Sequence, residues 1–428
     1  MRVCSNQAQA LQLMNDRAAA ALALYSVIRY QRTTDQVINS LETATARDYL
    51  FGALRHYFAL VSLLEPLVKK SLPKRNGKLW CLMIIGAYQL LYSRAPEYAA
   101  INETVAACDK LEQSWAKGLV NGVLRNVQRL ERAAIPVLEN FPKWFVKIIK
   151  EDYGSQADAI LEAFMGRSPM TLRVNQQRTT VKEYTQLLTS AGIDHSLKKN
   201  FPAIILRKPI PQSELPEFKE GRVSVQDFGA CLVTHLLDLK PGQSFLDACS
   251  APGGKLFALI ESTPEIHATA LEVSPSRFTH LQAESERLGH TPTMIKADAT
   301  NLDWWDGKFF DAILVDAPCS GSGTIRRHPE IKLRHGPTSL IGFHEKQLQL
   351  LKSSWQTLAL GGRLLYCTCS VFSFENDGVI KAFLEAEGNA SSTQISLPTG
   401  QATKLGWQLL PTNGETDGFY YALLERGA

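Results

Sequence analysis

Ser244-Phe-Leu-Asp-Ala-Cys-Ser-Ala-Pro-Gly-Gly-Lys255 decides the fold of the second half of the chain. Its apolar start reads as a buried strand, its glycine pair as a loop that lets backbone approach a ligand, and the residues after Lys255 as a helix. The same alternation recurs at 267–272, 293–297, 310–316 and 362–367, each apolar run followed by a helical length of chain. This pattern predicts a doubly wound, mostly parallel Rossmann-like α/β sheet, with two last strands near 407–410 and 418–425 at one edge. Leu256 stands where a Walker loop requires Ser or Thr, and no Gly-x-Gly-x-x-Gly follows a strand, so both nucleotide fingerprints are absent.

Working outward, residues 1–140 repeat apolar positions at threes and fours, as in 49–64 and 79–92, with breaks at Pro66, Pro73 with Gly77, and Pro96. A helical bundle is expected there, with one helix start at Asn102. Residues 141–225 read as one or two more helices with a turn at Tyr153-Gly154, then a small α+β insert. Its strands are expected at 171–175 and 203–207, with a helix at 181–191 between them. The catalytic part is then 226–428. Three domains suit a chain of 428 residues, since cores rarely grow beyond about 250–300 residues.

Hydrophobic residues at 45% and charged residues at 21% describe a chain that buries cores, which argues against disorder. Net charge is +4, but unevenly spread: 1–140 carries 17 Lys and Arg against 11 Asp and Glu, 141–225 carries 13 against 9, and 226–428 carries 16 against 22. A basic front half suits attraction to a polyanion while an acidic back half does chemistry. No run reaches the roughly 20 apolar residues of a membrane span, and 18–28 runs into Arg29 and Arg32 as a core helix does. A cytoplasmic protein is expected. The eight cysteines form no Cys-x-x-Cys pair and have no His at zinc spacing, so neither a disulfide framework nor a metal site is expected.

Ligands of such sheets bind beyond the carboxyl ends of strands, where the distinctive residues fall. Glu272, Asp298 and Asp316 follow successive strands and form an acidic rim suited to a nucleoside without pyrophosphate. Asp316-Ala-Pro-Cys-Ser-Gly-Ser-Gly323 and Tyr366-Cys-Thr-Cys-Ser-Val371 place Cys319 and Cys369 at neighbouring strand ends. Cys4, Cys81, Cys108 and Cys231 read as small buried hydrophobes. Cys367, two residues before Cys369, faces the same way in a strand and reads as packing.

These motifs, with Thr324-Ile-Arg-Arg-His-Pro-Glu-Ile-Lys332 and the run to Asn376, resemble the RNA 5-methylcytosine methyltransferases that use S-adenosylmethionine. Residues 92–105 and 117–127 resemble a NusB-like RNA-binding helical domain, and 141–225 is expected to hold an insert of ferredoxin-like or RNA-recognition-motif type. By that resemblance Cys249, Ser250, Ala251, Pro252, Gly253, Gly254 and Lys255 line the methionine and adenosine portions of S-adenosylmethionine. Glu272 binds the ribose, Asp298 lies at the adenine, and Asp316 reaches both cofactor and base. Cys369 matches the nucleophile and Cys319 the cysteine that releases product. Glu272 stands where Asp is usual and Cys367 where Ala is commoner; the 226–230 run and Glu330 also depart slightly from the family's forms.

The resemblance implies a cytosine in 16S rRNA, naked or early in assembly, as substrate of a monomer, with Arg125, Arg326 and Arg327 as candidate phosphate contacts. A flipped or single-stranded base is required. Two rivals share the motifs: the same reaction on tRNA, and a non-catalytic RNA-binding assembly factor.

Overall fold

The computed structural model describes residues 15–68, 76–130 and 135–427; Cys4 and Pro73 lie outside them. The chain forms two compact units, Met1–Glu151 with Ile325–His335, and Asp152–Thr324 with Gly336–Ala428.

The first unit is helical. Helices Asp16–Tyr30, Ala44–Arg55, Tyr57–Leu64, Gly77–Tyr92, Glu97–Lys110 and Lys117–Arg129 bury Leu24, Leu50, Leu54, Ile85, Ile101 and Leu124 in one core. Their starts follow local chemistry: the Thr33 side chain accepts from Gln36 N and Gln36 reaches back, a capping box that begins the short helix Thr34–Ile38. Gly86 sits where an added Cβ lies 2.8 Å from Leu124, so glycine sets how closely these two helices approach. The expected continuous helix over 49–64 breaks at His56, and the helix expected from Asn102 begins at Glu97, directly after Pro96.

Ile325–His335, within the 226–428 stretch in sequence, packs with this helical unit in space. Side-chain chemistry explains it: Glu330 accepts from Thr34 N and Oγ1, both at 2.9 Å, and Lys332 donates to the carbonyls of Arg55 at 2.7 Å and Asn140 at 2.8 Å. Lys332 also lies 4.7 Å from the Phe141 ring centroid. Burial pushes its ammonium down to about 7, with Arg55 adding to the effect.

The second unit holds two sheets. The small one has strands β1 (Met170–Val174), β2 (His195–Leu197), β3 (Ala203–Leu206) and β4 (Val223–Val225) in antiparallel order β2-β3-β1-β4. Helix Val181–Ser190 packs Tyr184 and Leu188 onto it. β2 and β4 are three-residue strands too short to show a period in sequence.

The large sheet carries β5 (Ser244–Asp247), β6 (His267–Leu271), β7 (Thr293–Ile295), β8 (Phe310–Asp316) and β9 (Leu358–Thr368). It continues with β10 (Ala390–Thr393), β11 (Gln401–Ala402), β12 (Trp407–Leu409) and β13 (Phe419–Arg426). Its order is β11-β12-β13-β9-β8-β5-β6-β7, with β10 on β13; β5 to β9 pair in parallel and β10 to β13 antiparallel. Phe245 and Leu246, adjacent on β5, are both fully buried, as a strand covered on two faces requires. The chain runs outward from β5 to β7 and returns to β8, so the strand order reverses between β5 and β8, and a ligand crevice opens beyond their carboxyl ends.

Candidate active site

At the carboxyl end of β5 the loop from Ala248 to Gly253 leads into helix Gly254–Ser262. Gly253 has φ +102°, and a Cβ there would lie 2.3 Å from the Phe257 ring, so only glycine fits this close turn. Ser250 Oγ donates to Asp247 O at 2.9 Å, and Gly253 N donates to Ser250 O at 2.7 Å. Asp247 is buried beneath the loop and accepts from Cys249 N at 3.3 Å. Burial and the neighbouring Asp316 carboxylate raise it to about 7. Burial pushes the Cys249 thiol up, so that residue stays protonated in the loop.

Lys255, in the first turn of that helix, reaches across to β8, where its Nζ lies 2.6 Å from Asp316 Oδ2. Burial alone would lower the ammonium; Asp316 overrides it, and Lys255 is held charged well above its ordinary range. Cys367 on β9 donates its thiol to the other oxygen, Asp316 Oδ1, at 3.4 Å, and burial with Asp316 holds that thiol protonated. Cys367 therefore packs in the core, as its place in the strand suggested, and also touches the site.

Cys319 and Cys369 stand at the ends of β8 and β9 with their sulfurs 3.4 Å apart. The hydrogen bond from Cys319 lowers Cys369 against the opposing effect of burial, while the same bond and burial raise Cys319. Of the two thiols, Cys369 is therefore the one more readily ionised. Two glycines permit the approach of the loops: Gly323 N donates to Cys369 O at 2.9 Å, Gly418 N donates to Gly323 O at 2.9 Å, and a Cβ on Gly323 would lie 2.1 Å from Gly418 O.

The rim acids differ in exposure. Glu272 follows β6, is 3% exposed, and accepts from Ser274 N at 2.9 Å, with Arg277 at 3.5 Å. Asp298 follows β7 and accepts from Thr300 N at 2.9 Å and Thr300 Oγ1 at 2.8 Å, bonds that lower it. Direct contacts join Lys255 and Cys367 to Asp316, and Cys319 to Cys369; Asp247 is close enough to Asp316 to be raised by its charge, and Glu272 and Asp298 lie beyond the ends of the next two strands. Cys81, Cys108 and Cys231 are buried, as expected of small hydrophobes. Arg125 is exposed on its helix and bonds Gln128. Arg326 is 4% exposed, which corrects its expected role, since a guanidinium so covered is not presented to phosphate; Arg327 is half-buried.

Sequence reasoning passed over two groups. Arg173 on β1 pairs with Glu261 through two 2.8 Å bonds and donates to the carbonyl of Gly254 at 2.6 Å and to Gln226, which ties the small sheet to the loop's helix. Glu375, fully buried, accepts from residues that directly follow each cysteine. A charged residue inside a strand of alternating apolar character, as in Met-Thr-Leu-Arg-Val, was the available signal for Arg173.

A parallel sheet with a glycine loop after its first strand, a buried acid after its second and no pyrophosphate fingerprint defines a nucleoside-cofactor enzyme of the methyltransferase class. The cradle fits S-adenosylmethionine: the tight turn at Gly253, packed on Phe257, presents the loop's backbone at the strand end, and buried Glu272 offers an oxygen for ribose hydroxyls. Sequence comparison agrees. The model of the 16S rRNA methyltransferase RsmB/F family matches residues 234–425, the NusB family matches 8–129, and an RsmF/B-like ferredoxin-like domain matches 141–213. The ribosomal RNA small subunit methyltransferase B of Pseudomonas syringae pv. tomato is 39% identical, over 96% of this chain and 97% of its own. That of Vibrio cholerae is 37% identical, over 97% and 98%. Among solved structures, PH0851 superposes with TM-score 0.84 at 21% identity over 96% of this chain and 99% of its own. A methyltransferase homolog from Pyrococcus horikoshii gives 0.59 at 25% identity over 67% and 95%. The chain belongs to the 16S rRNA methyltransferase RsmB/F family, with a NusB-like domain in front. It is a methyltransferase, and its cofactor is S-adenosylmethionine. Among the described residues no helix is long and apolar enough to cross a membrane.

Proposed function

We propose that this enzyme methylates carbon 5 of a cytosine in 16S rRNA through a covalent bond between Cys369 and the base. The observation that carries the reading is the 3.4 Å approach of Cys319 and Cys369 at adjacent strand ends, beside the Lys255–Asp316 pair. Relatives named ribosomal RNA small subunit methyltransferase B match along nearly the whole chain, which supports 16S rRNA as substrate.

Carbon 5 of cytosine is a poor nucleophile, and a thiolate added at carbon 6 converts the ring to an enamine that is a good one. Cys369 supplies that thiolate, and its electron pair forms the sulfur–carbon bond. Asp316 bonds or protonates the base edge and so draws electrons from carbon 6, and the Lys255 ammonium 2.6 Å from it offsets the negative charge that builds there. S-adenosylmethionine, held by Cys249 to Lys255, Glu272 and Asp298, supplies the methyl group that carbon 5 accepts. Cys319, after losing its own proton to solvent, or a water it holds, then takes the carbon 5 proton; the electrons of that bond re-form the carbon 5–carbon 6 double bond as the carbon–sulfur bond breaks and Cys369 leaves as thiolate. A base stacked in a duplex cannot receive a thiolate above its plane, so the target is unstacked, and rRNA that is naked or early in assembly fits best. Arg125 and Arg327 remain as phosphate contacts.

Transfer of tritiated methyl groups to 16S rRNA and to tRNA transcripts tests the substrate. The reading expects incorporation into 16S rRNA with label at carbon 5 of one cytosine. Preference for tRNA overturns the substrate, and label on another atom overturns the chemistry.

A further inference from the structure

We infer that Glu375 is a positioning residue that holds the two cysteine loops at their working separation, one carboxylate bonded to the residue after each cysteine. This rests on the two-cysteine reading given above and adds to it the element that sets the thiol pair.

Glu375 sits in the short turn Ser373–Glu375 beyond β9 and is fully buried. Its Oε1 accepts from Ser320 N at 2.8 Å and from Gln347 Nε2 at 3.2 Å. Its Oε2 accepts from Ser320 Oγ at 2.5 Å and Ser370 Oγ at 2.7 Å. Ser320 directly follows Cys319, and Ser370 directly follows Cys369. The loops are laced further by Ser322 Oγ, 2.9 Å from Ser370 Oγ and 3.0 Å from Val371 N. Gln347 Nε2 also donates to Pro318 O at 2.9 Å, so the carboxylate's own partner braces the residue before Cys319. On the far side, Asn376 donates to Ser370 O at 3.1 Å, and Tyr366 donates to the Glu375 carbonyl at 2.7 Å.

A carboxylate is acceptor-only, and the groups around it are all donors, which is the arrangement that stabilises a buried charge. Its value to the reaction is geometric. Just past β8 and β9 the backbone bonds from Ala317 N to Cys367 O and from Gly323 N to Cys369 O, both 2.9 Å, join the two segments, and neither reaches the Pro318–Ser320 stretch that carries Cys319. Oε1 holds the Cys319 loop and Oε2 bridges Ser320 of that loop to Ser370 of the other, which fixes the separation of the two cysteines. The groups facing the pair are Asp316, Lys255 and Glu375 for Cys369, and Glu375 for Cys319.

The test measures alkylation of Cys319 and Cys369 by iodoacetamide against pH, read site by site by mass spectrometry on the full chain without RNA. Methylation kinetics are measured alongside. In the wild type the two midpoints are expected to be split, Cys369 below Cys319. Glu375→Ala frees both loops and is expected to make the midpoints converge. It is expected to lower kcat about 100-fold, the size of effect an ångström-scale misplacement produces, with KM for cofactor within about 2-fold. Glu375→Gln keeps the shape and one acceptor, while its amide donates to the two serine hydroxyls. It is expected to preserve the split, with both midpoints moved down together by loss of the negative charge.

Parallel movement without convergence in Glu375→Ala overturns the proposal, because Glu375 then acts by charge alone. An unchanged split with unchanged kcat overturns it too. If Glu375→Ala does not fold, Ser320→Ala with Ser370→Ala removes the hydroxyl arms and must narrow the split; an unnarrowed split in that double variant overturns the proposal. Failure of the two-cysteine reading shows separately, as methylation and adduct formation that survive Cys369→Ala.

Discussion

Replacing Arg173 by Met should destabilise the catalytic unit more than any surface change, and the size of the loss follows from burial. Arg173 and Glu261 are each 4% exposed at the side chain and share two 2.8 Å bonds. Removing one member of such a pair leaves a charge in low dielectric and costs about 3–5 kcal/mol. At about 2–4 °C per kcal/mol, the scale of domains of about 150–250 residues and near that of this slightly larger unit, melting should fall by about 6–20 °C. Scanning calorimetry of the full chain, with S-adenosylhomocysteine added to mark the transition that ligand raises, reads this directly.

The pH dependence gives a second reading. Arg173 overcomes burial to hold Glu261 below the ordinary carboxylate range, so the pair's contribution is present above the unfolded value and is lost as pH falls through the folded one. The variant should therefore approach the wild type in strongly acidic solution. Arg173→Met with Glu261→Met removes both charges and should recover more than half the loss. The recovery stops short because the Gly254 carbonyl still lacks the Arg173 donor, and cofactor affinity should stay reduced. A loss under about 1 kcal/mol for the single variant, the size of a surface pair, or a double variant as unstable as the single, refutes the reasoning.

Other outcomes follow from the same geometry. Gly253→Ala places a Cβ against Phe257 at φ +102° and should cost about 1–3 kcal/mol in strain and weaken cofactor binding by calorimetry; unchanged affinity contradicts the assigned turn. Asp247 is raised to about 7, so the folded chain holds its proton more tightly than the unfolded one, and this group costs stability increasingly as pH rises from 4 to about 7. Asp247→Asn should therefore gain on the wild type in melting temperature between pH 5 and pH 8, and a constant difference contradicts the burial. Lys332→Met leaves the Arg55 and Asn140 carbonyls without their donor, each worth about 1–3 kcal/mol, and should lower the melting of the helical unit; an unchanged transition contradicts the anchoring of 325–335.

The sheet was legible because β5, β6, β8 and β9 are apolar runs followed by helices, and the cysteines because strand ends are where ligands sit. Short strands such as His195–Leu197 and Gln401–Ala402 carry no periodicity to read. Helix Glu97–Lys110 starts directly after its proline, five residues before the Asn102 start expected from sequence. The segment 325–335 looks continuous with the catalytic motif, yet its partners Thr34, Arg55 and Asn140 lie about 200 to 300 positions away in the sequence, beyond any local pattern. Glu375 was invisible for a related reason: a carboxylate in a turn reads as solvated until its four donors are known.

The most direct test of the account compares Cys319→Ala with Cys369→Ala, each incubated with S-adenosylmethionine and 16S rRNA transcript and run on a denaturing gel. The account predicts that Cys319→Ala accumulates a covalent protein–RNA species and Cys369→Ala forms none. An adduct in Cys369→Ala, or none in either variant while the wild type methylates the transcript, contradicts it.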